Sequence, residues 1–239
     1  MFETYLVQPI YNLFIALLGI VPQGDTGLAI IALTILMRLV LYPVFTASIR
    51  TQMGMTAMQS DVELIKEKHK NDKEALAREQ IALFKKHKVN PLAGFGALFI
   101  QLAVIIALYF ALFNEGFPAI KTSLLYSFVS VPGAVSTHFF GIMDLLTPHH
   151  IFLAILVGAS QYWAIYLTLG RTPVNHKDKD KAAVARMQQN MMLYVMPAVM
   201  AVTSYYFAAA VGVYFVASNL FSVGQEWIIR NQYNKQPGQ

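Results

Sequence analysis

A single arginine interrupts an apolar run that is otherwise long enough to cross a membrane. Arg38 is the eleventh of the 20 residues of Leu28–Ala47, and the run holds no other charged residue. A helix of 20 residues is about 30 Å long, which matches the hydrocarbon core of a bilayer. A charge near the centre of such a helix costs about 2.5–3.5 kcal/mol on insertion scales, so it indicates a functional site.

The composition is that of a membrane protein. Hydrophobic residues make up 56% of the chain and charged residues only 13%, whereas soluble domains carry roughly 25% charged residues. The mean hydropathy is +0.48. The 239 residues include no cysteine, which excludes disulfides, thiolate metal sites and a catalytic thiol.

Four further apolar stretches have the length of spanning helices, 19 to 22 residues each. They are Leu92–Phe113, Ile151–Leu169, Met191–Ala209 and Ala210–Ile229. The last two nearly touch, so we expect a very short link between them. The predicted fold is an all-α membrane protein with five transmembrane helices, an N-terminal interfacial helix and a cytoplasmic helical hairpin.

The distribution of lysine and arginine predicts the orientation. Of 18 such residues, nine lie between Arg50 and Lys88 and five between Arg171 and Arg186, and the first 27 residues contain none. By the positive-inside rule these two basic segments are cytoplasmic. The N-terminus is then outside and the C-terminus inside, as five spans require. Topology thus accounts for the net charge of +5 without recognition of a nucleic acid sequence.

The predicted segments follow from these spans. They are the extracytoplasmic interfacial helix (1–27), span 1 (28–47), the cytoplasmic hairpin (48–90), span 2 (91–113), an extracytoplasmic loop (114–150), span 3 (151–170), a cytoplasmic loop (171–190), span 4 (191–209), span 5 (210–229) and a cytoplasmic tail (230–239).

The opening segment is apolar with one polar sector. Glu3, Thr4, Gln8 and Asn12 share one side of a helical wheel, which is typical of a helix lying in the membrane interface. A cleavable signal peptide is the alternative. It would normally begin with Lys or Arg and end in a small-x-small site, and neither is evident.

The segment 48–90 has the pattern of two amphipathic helices. Apolar residues recur at helical spacing in both halves, and a turn is predicted near Asn71-Asp72. Lys and Glu alternate on the outer faces, which fits either a solvated surface or a docking surface. Asn90 and Pro91 are predicted to cap the next span.

The surroundings of Arg38 allow three interpretations. The first is an ion pair, but the only acidic residue in another span is Glu226, which lies one turn from Arg230 near the cytoplasmic end. The second is snorkelling, but Arg38 is about 12 Å from the end of its run. The third is a cytoplasmically open, water-filled cavity, with Thr34 and Tyr42 on the same helix face as Arg38.

Other polar residues at membrane depth are either hydrogen-bond glue between helices or part of that cavity. They are Gln101, Gln161, Ser218, Asn219 and Gln225. No HExxH, GxSxG or glycine-rich phosphate loop is present. We therefore expect no enzyme activity, no metal site and no cofactor. Two function classes remain: a protein that receives hydrophobic polypeptides in a groove, and a small-anion channel or transporter that uses Arg38 as its binding charge.

Five segments, in this order, resemble the YidC/Oxa/Alb family of membrane protein insertases. They are TGLAIIALTILMRLVLYP (26–43), LFKKHKVNPLAGFGALFIQLAVIIALYFALF (83–113), FFGIMDL (139–145), QNMMLYVMPAVM (189–200) and AVGVYFVASNLFSVGQE (210–226). The family's mid-span arginine matches Arg38, and its Ser-Asn pair matches Ser218-Asn219. The chain departs from the family at Phe95-Gly96-Ala97, where Cys-Leu-Pro is common, and at Phe215, where Trp is usual.

The resemblance implies a short bacterial member in the plasma (inner) membrane, without the large extracytoplasmic domain of Gram-negative members. It implies a hydrophilic groove that opens to the cytoplasm and to lipid. The expected substrate-binding residues of that groove are Arg38, Thr34, Gln101, Gln161, Ser218 and Asn219. Nascent membrane proteins and the lipid bilayer are the expected partners, with a ribosome, a targeting factor and a Sec-type translocon as further candidates.

Overall fold

The computed structural model describes residues 3–70, 72–87, 89–90, 92–110, 117–169 and 179–234. Within these residues the chain is almost entirely α-helical, with one short antiparallel hairpin between 138 and 144. The helices are α1 (Gln8–Ile20), α2 (Thr26–Val40), α3 (Tyr42–Ala57), α4 (Gln59–Lys68), α5 (Lys73–Lys86), α6 (Leu92–Tyr109), α7 (Ile151–Leu169), α8 (Lys179–Asn190), α9 (Met196–Tyr206) and α10 (Ala209–Asn234). The strands are β1 (His138–Phe139) and β2 (Met143–Asp144).

The predicted first span, 28–47, is not one straight helix. It breaks at Leu41, where α2 and α3 meet at an angle of 67°. Pro43 causes the break, because proline has no N–H and its ring clashes with the carbonyl four residues earlier. The amides of Val44 and Phe45 both bond to the Leu41 carbonyl, at 3.0 and 3.2 Å. As a result, Tyr42 does not continue the face of α2 that carries Thr34 and Arg38.

The helix α1, with a π-helical turn before it (Glu3–Val7), packs into the core through residues such as Phe14 and Ile15. Its predicted polar sector is partly covered: Thr4 is exposed, Gln8 is half-buried and Asn12 is buried. Asn12 is only 3% exposed, and its amide bonds to the Leu124 carbonyl at 2.8 Å and to the Tyr126 N–H at 2.7 Å. The segment 117–150 therefore provides the hydrogen-bond partners of Asn12.

In the segment 48–90, α3 extends to Ala57, and α4 and α5 follow it. Asp72 caps α5 by accepting bonds from the Glu74 and Ala75 amides. Lys68 and His69, near the end of α4, both contact the Glu79 carboxylate on α5. Charged contacts therefore join the end of α4 to the middle of α5. Pro91, the second of the two predicted capping residues, lies outside the described residues.

An apolar core lies between α1, α2, α6 and α10, and the segment 117–150 covers one end of it. Helix α7 packs against α9 and α10, and α10 also packs against α2 and α3. The side of α7 and α9 away from these contacts is apolar and exposed, for example at Ile155, Trp163 and Val202. Gly212 allows α10 to approach α7, because a Cβ there would lie 2.6 Å from a Leu153 methyl carbon.

By length and composition, one described helix, α7, is able to cross a membrane, and the bent pair α2 and α3 is a second candidate if it counts as one span. Helix α9 ends at Tyr206 and α10 begins at Ala209, so two residues link the predicted fourth and fifth spans. Pro197 lies at the start of α9, directly after a π-helical turn (Met191–Val195). The predicted loop 171–190, the tail 230–239 and the ends of spans 2 and 3 fall partly outside the described residues.

Candidate functional site

Arg38 is 9% exposed and is held by neutral groups from two other helices. Its Nε and Nη2 both donate to the Ser218 hydroxyl on α10, at 3.1 and 2.5 Å. Nη2 also donates to Gln101 Oε1 on α6, at 3.2 Å. The Phe45 ring on α3 lies 4.3 Å from the guanidinium carbon, within the range of a cation–π contact.

Tyr214 completes this network. It lies one helical turn before Ser218 on α10, so both side chains are on the same face. Gln101 Nε2 donates to the Tyr214 hydroxyl while Gln101 Oε1 accepts from Arg38. The amide of Gln101 therefore connects the tyrosine to the arginine, and its orientation is defined by both.

A small open cleft lies beside Arg38, with a volume of about 10 Å³, roughly enough for one water molecule. Eight side chains line it: Thr34, Met37, Arg38, Leu41, Phe45, Gln101, Val104 and Tyr214. The Thr34 hydroxyl donates to the Ile30 carbonyl at 2.6 Å, so its hydrogen is used within its own helix. The cleft is thus an apolar cup with the guanidinium, an amide and two hydroxyls at its wall.

In the part of the chain that the structure describes, no carboxylate forms an ion pair with Arg38. Glu226 is engaged elsewhere: its Oε1 accepts from Arg230 Nε at 2.9 Å and its Oε2 accepts from the Thr168 hydroxyl at 2.6 Å. Arg230 also donates to the Thr168 carbonyl at 3.1 Å, so this cluster fastens α10 to the end of α7. A buried cation without a carboxylate partner keeps most of its attraction for an anion.

Three of the predicted groove residues, Gln161, Ser218 and Asn219, do not line this cleft, although Ser218 bonds to Arg38. The Asn219 side chain faces α7, where its amide donates to the Ser160 hydroxyl at 3.1 Å. This contact fits the interpretation of Asn219 as glue between helices. Gln161 is half-buried on α7 and is not among the lining residues. The structure brings together Arg38, Thr34, Gln101 and Ser218.

Sequence reasoning did not identify Tyr214 or Phe45 as site residues. Tyr214 could have been found from its spacing of four to Ser218. Phe45 lies seven residues after Arg38, a spacing that also places two residues on one helix face, but the contact itself is made across the break at Leu41. Gln225, predicted as glue or cavity lining, bonds to the first turn of α3 through the Tyr42 carbonyl at 3.1 Å and the Thr46 hydroxyl at 3.0 Å.

Among the described residues, no group of three or more His, Asp or Glu side chains is placed to hold a metal ion. The polar groups around Arg38 are neutral amides and hydroxyls without a base beside any hydroxyl. The arrangement can bind and orient an anionic group, and nothing in it activates a nucleophile.

Comparisons with known proteins identify a family that includes this chain. Residues 19–236 match the model of a family described as 60Kd inner membrane protein. The chain is 30% identical over 229 residues to the membrane protein insertase YidC of Ectopseudomonas mendocina, covering 95% of this chain and 34% of that protein. It is 30% identical over 234 residues to the membrane protein insertase MisCA of Bacillus subtilis, covering 95% and 78% of the two chains.

A third relative, the membrane protein insertase YidC of Oceanobacillus iheyensis, is 30% identical over 232 residues, which is 95% of this chain and 82% of the relative. The chain therefore spans about a third of the length of the long relatives, such as that of Ectopseudomonas, and about four fifths of the short ones.

Proposed function

We propose that this chain, which belongs to the 60Kd inner membrane protein family, is a membrane protein insertase that receives hydrophobic nascent polypeptides beside Arg38 and releases them sideways into the bilayer. The relatives named above are called membrane protein insertases. One observation carries the proposal: a buried arginine has only neutral partners among the described residues and lies at an open cleft. The site thus offers positive charge to a polar segment that must pass through hydrocarbon.

The bonding of Arg38 supports a role in capture. Nε and Nη2 make its hydrogen bonds within the described residues, and Nη1 makes none there. Nη1 is then the donor that a substrate carboxylate would meet, with Phe45 behind the guanidinium plane. Ser218 and Gln101 fix the plane in advance, which lowers the entropy lost on binding.

The mechanism is physical rather than covalent. An acidic N-terminal tail of a substrate enters the cleft, where Arg38 and water offset part of its desolvation cost. The distance that the tail must cross through hydrocarbon becomes shorter. The apolar segment that follows it leaves along exposed apolar helix faces, such as that of α9 with Val199 and Val202.

The proposed placement is a multi-pass protein of the bacterial plasma membrane with five spans. The N-terminus is outside, and the C-terminus and the segment 48–90 are cytoplasmic, as the positive-inside rule indicates. The charged surface of α4 and α5 then faces the side from which nascent chains arrive. It is the candidate contact for a ribosome, a targeting factor or a Sec-type translocon.

Single cysteines test the cleft, because the natural chain has none. We expect cysteines at Thr34 and Gln101 to react with a membrane-impermeant thiol reagent added from the cytoplasmic side only, since thiolates require water to form. Ile106→Cys is the matched control. It lies on α6 with Gln101, is 41% exposed and is not among the cleft residues, so it should stay unlabelled in lipid.

Labelling of Thr34→Cys and Gln101→Cys from both sides would indicate a continuous pore. That result, together with chloride or phosphate flux in liposomes that depends on Arg38, would favour the small-anion channel. The relatives give that alternative no support. Absence of labelling from either side would show a dry, packed arginine and would refute the proposed mechanism.

A further inference from the structure

The turn between β1 and β2 presents large apolar side chains to the outside. Phe140 is 66% exposed and Ile142 is 87% exposed, and Gly141 lies between them. Phe140 has a φ of +50°, in the left-handed region that is unfavourable for a phenylalanine. A residue that is both strained and exposed suggests a function for the conformation it adopts.

This turn is fixed rigidly to the beginning of α2. The Phe140 amide donates to Asp25 Oδ2 at 2.7 Å, and Asp25 is the N-cap of α2. The neighbouring Phe139 ring lies directly against Gly27, where any Cβ would clash with it. The position of Phe140 and Ile142 is therefore coupled to the helix that carries Arg38.

The chemistry around the turn favours a lipid partner. Between 117 and 150 the only Asp, Glu, Lys or Arg residues are Lys121 and Asp144. Seven residues after Asp144, α7 begins with Ile151 and Phe152, which are 64% and 72% exposed. Because α7 is long and apolar enough to span a membrane, the exposed turn is close in sequence to a lipid-facing surface. Aromatic residues are enriched at that depth in membrane proteins.

We propose that the turn Phe140–Ile142 docks into the interfacial layer of the leaflet at which α7 begins, and that this anchor sets the depth of Arg38 in the bilayer. The inference rests on the membrane location in the proposed function. Arg38 lies 13 residues after Asp25, which corresponds to about 20 Å along α2. In a hydrocarbon core of about 30 Å, an anchor at one interface would hold the arginine within reach of the other.

Tryptophan fluorescence tests the contact directly. The chain has two tryptophans, Trp163 and Trp227, and both can be replaced by Phe. Phe140→Trp or Ile142→Trp then provides a single reporter in phosphatidylcholine vesicles. We expect blue-shifted emission and about twofold stronger quenching by bromines placed near the headgroups than by bromines at the chain ends.

Gly133→Trp is the matched control. Gly133 lies in the segment 117–150 with the turn, is exposed, and has open space where the Cβ of a substituted residue would lie. It should emit as in water and be quenched by aqueous iodide. If the two turn reporters behaved like Gly133→Trp, the proposal would be wrong. Shielding that appeared only at high protein-to-lipid ratio would indicate a second copy as the partner, and would also overturn it.

The effect on depth is measured with the double variant Phe140→Ser/Ile142→Ser in the Thr34→Cys background. We expect the labelling rate of Thr34→Cys to change about threefold while the melting temperature in detergent stays the same. An unchanged rate would overturn the role of the turn in setting depth. Neither readout uses insertion activity, so failure of the insertase proposal is detected separately, as a normal insertion rate in Arg38→Ala.

Discussion

Two buried charges on α2 have opposite environments. At its beginning, Asp25 is 6% exposed and accepts three backbone amides, from Gly27, Leu28 and Phe140, at 2.8, 3.1 and 2.7 Å. Thirteen residues later, Arg38 is almost as buried, but its partners are one hydroxyl, one amide and one aromatic ring. The backbone donors belong to the fold and occupy three of the roughly four acceptor sites of the Asp25 carboxylate. Side-chain dipoles orient a charge without neutralising it.

At similar burial, a charge that stabilises the fold differs from a charge that can bind a ligand in what surrounds it. Beside Asp25, the Thr26 hydroxyl and amide both bond to the Ser136 carbonyl, at 2.7 and 3.0 Å, so the groups around this carboxylate are engaged within the fold. Beside Arg38 there is a cleft, and Nη1 makes no hydrogen bond within the described residues. We therefore expect variants of Asp25 to affect stability and variants of Arg38 to affect activity.

The largest effect is expected for Arg38→Ala. Insertion of substrates with acidic tails should fall at least about tenfold, equivalent to about 1.4 kcal/mol, in reconstituted vesicles. Arg38→Lys should keep much of the activity, because a point charge suffices for attraction. Arg186→Ala, which removes an exposed arginine on α8, is the control. A normal insertion rate in Arg38→Ala would refute the site assignment.

Asp25→Ala should lower stability rather than activity. Loss of a buried cap with three charge-assisted bonds should lower the free energy of unfolding by about 2–4 kcal/mol, measured as a lower melting temperature in detergent. Asp72→Ala removes an exposed cap of α5 with two bonds and should cost about 1 kcal/mol. Equal losses in the two variants would show that burial of the Asp25 junction is unimportant.

Ser218→Ala would show whether orientation matters in addition to charge. The guanidinium would lose both bonds to that hydroxyl, so we expect insertion to fall about threefold, near 0.7 kcal/mol, with little change in melting temperature. Ser222→Ala is the matched control, since within the described part of the chain its hydroxyl bonds to the Ser218 carbonyl one turn away and not to Arg38. If both variants inserted equally well, orientation by Ser218 would contribute nothing.

The smallest effect concerns a charge that is neither buried nor near the cleft. Hydrogen bonds from Lys68 and then His69 hold the pKa of the Glu79 carboxyl below its ordinary value of 4.5. Its contribution to the contact of α4 with α5 is therefore present above pH 4.5 and is lost as the pH falls through the lowered pKa. Amide hydrogen exchange in 59–86 should quicken at low pH, and Glu79→Gln should remove this dependence.

Patterns among residues close together in the sequence predicted the helices and the Arg38 site. Contacts between residues far apart in the sequence could not be predicted in this way. The apolar runs predicted helices along most of the chain, and Arg38 was recognised because charge is costly in an apolar run. Ser218 and Gln101, which bond to Arg38, were predicted from the same kind of evidence as Asn219 and Gln161, which do not line the cleft. Only packing decides that Ser218, 180 residues away, reaches Arg38 while its neighbour Asn219 faces α7.

The break at Leu41 and the burial of Asn12 show the same limit. Pro43 is present in the predicted span, but the size of the bend, 67°, depends on how α3 packs against α6 and α10. Asn12 was placed on a water-facing side because its periodicity is that of a surface residue. Its actual partners come from a segment more than 100 residues later, which no local pattern indicates.

The position of the break also gives α3 the properties of a lever. The helix has 16 residues and is about 24 Å long, whereas Phe45 lies only about 6 Å from the pivot at Leu41. A rotation of about 10° would move the far end of α3, with α4 and α5 attached, by about 4 Å and Phe45 by about 1 Å. Gln225 bonds to the first turn of α3, so the part of α3 between Leu41 and Phe45 is also the more restrained part. Large displacements at the charged helices therefore reach Arg38 reduced about fourfold, and the aromatic cover moves on the scale of a single contact distance.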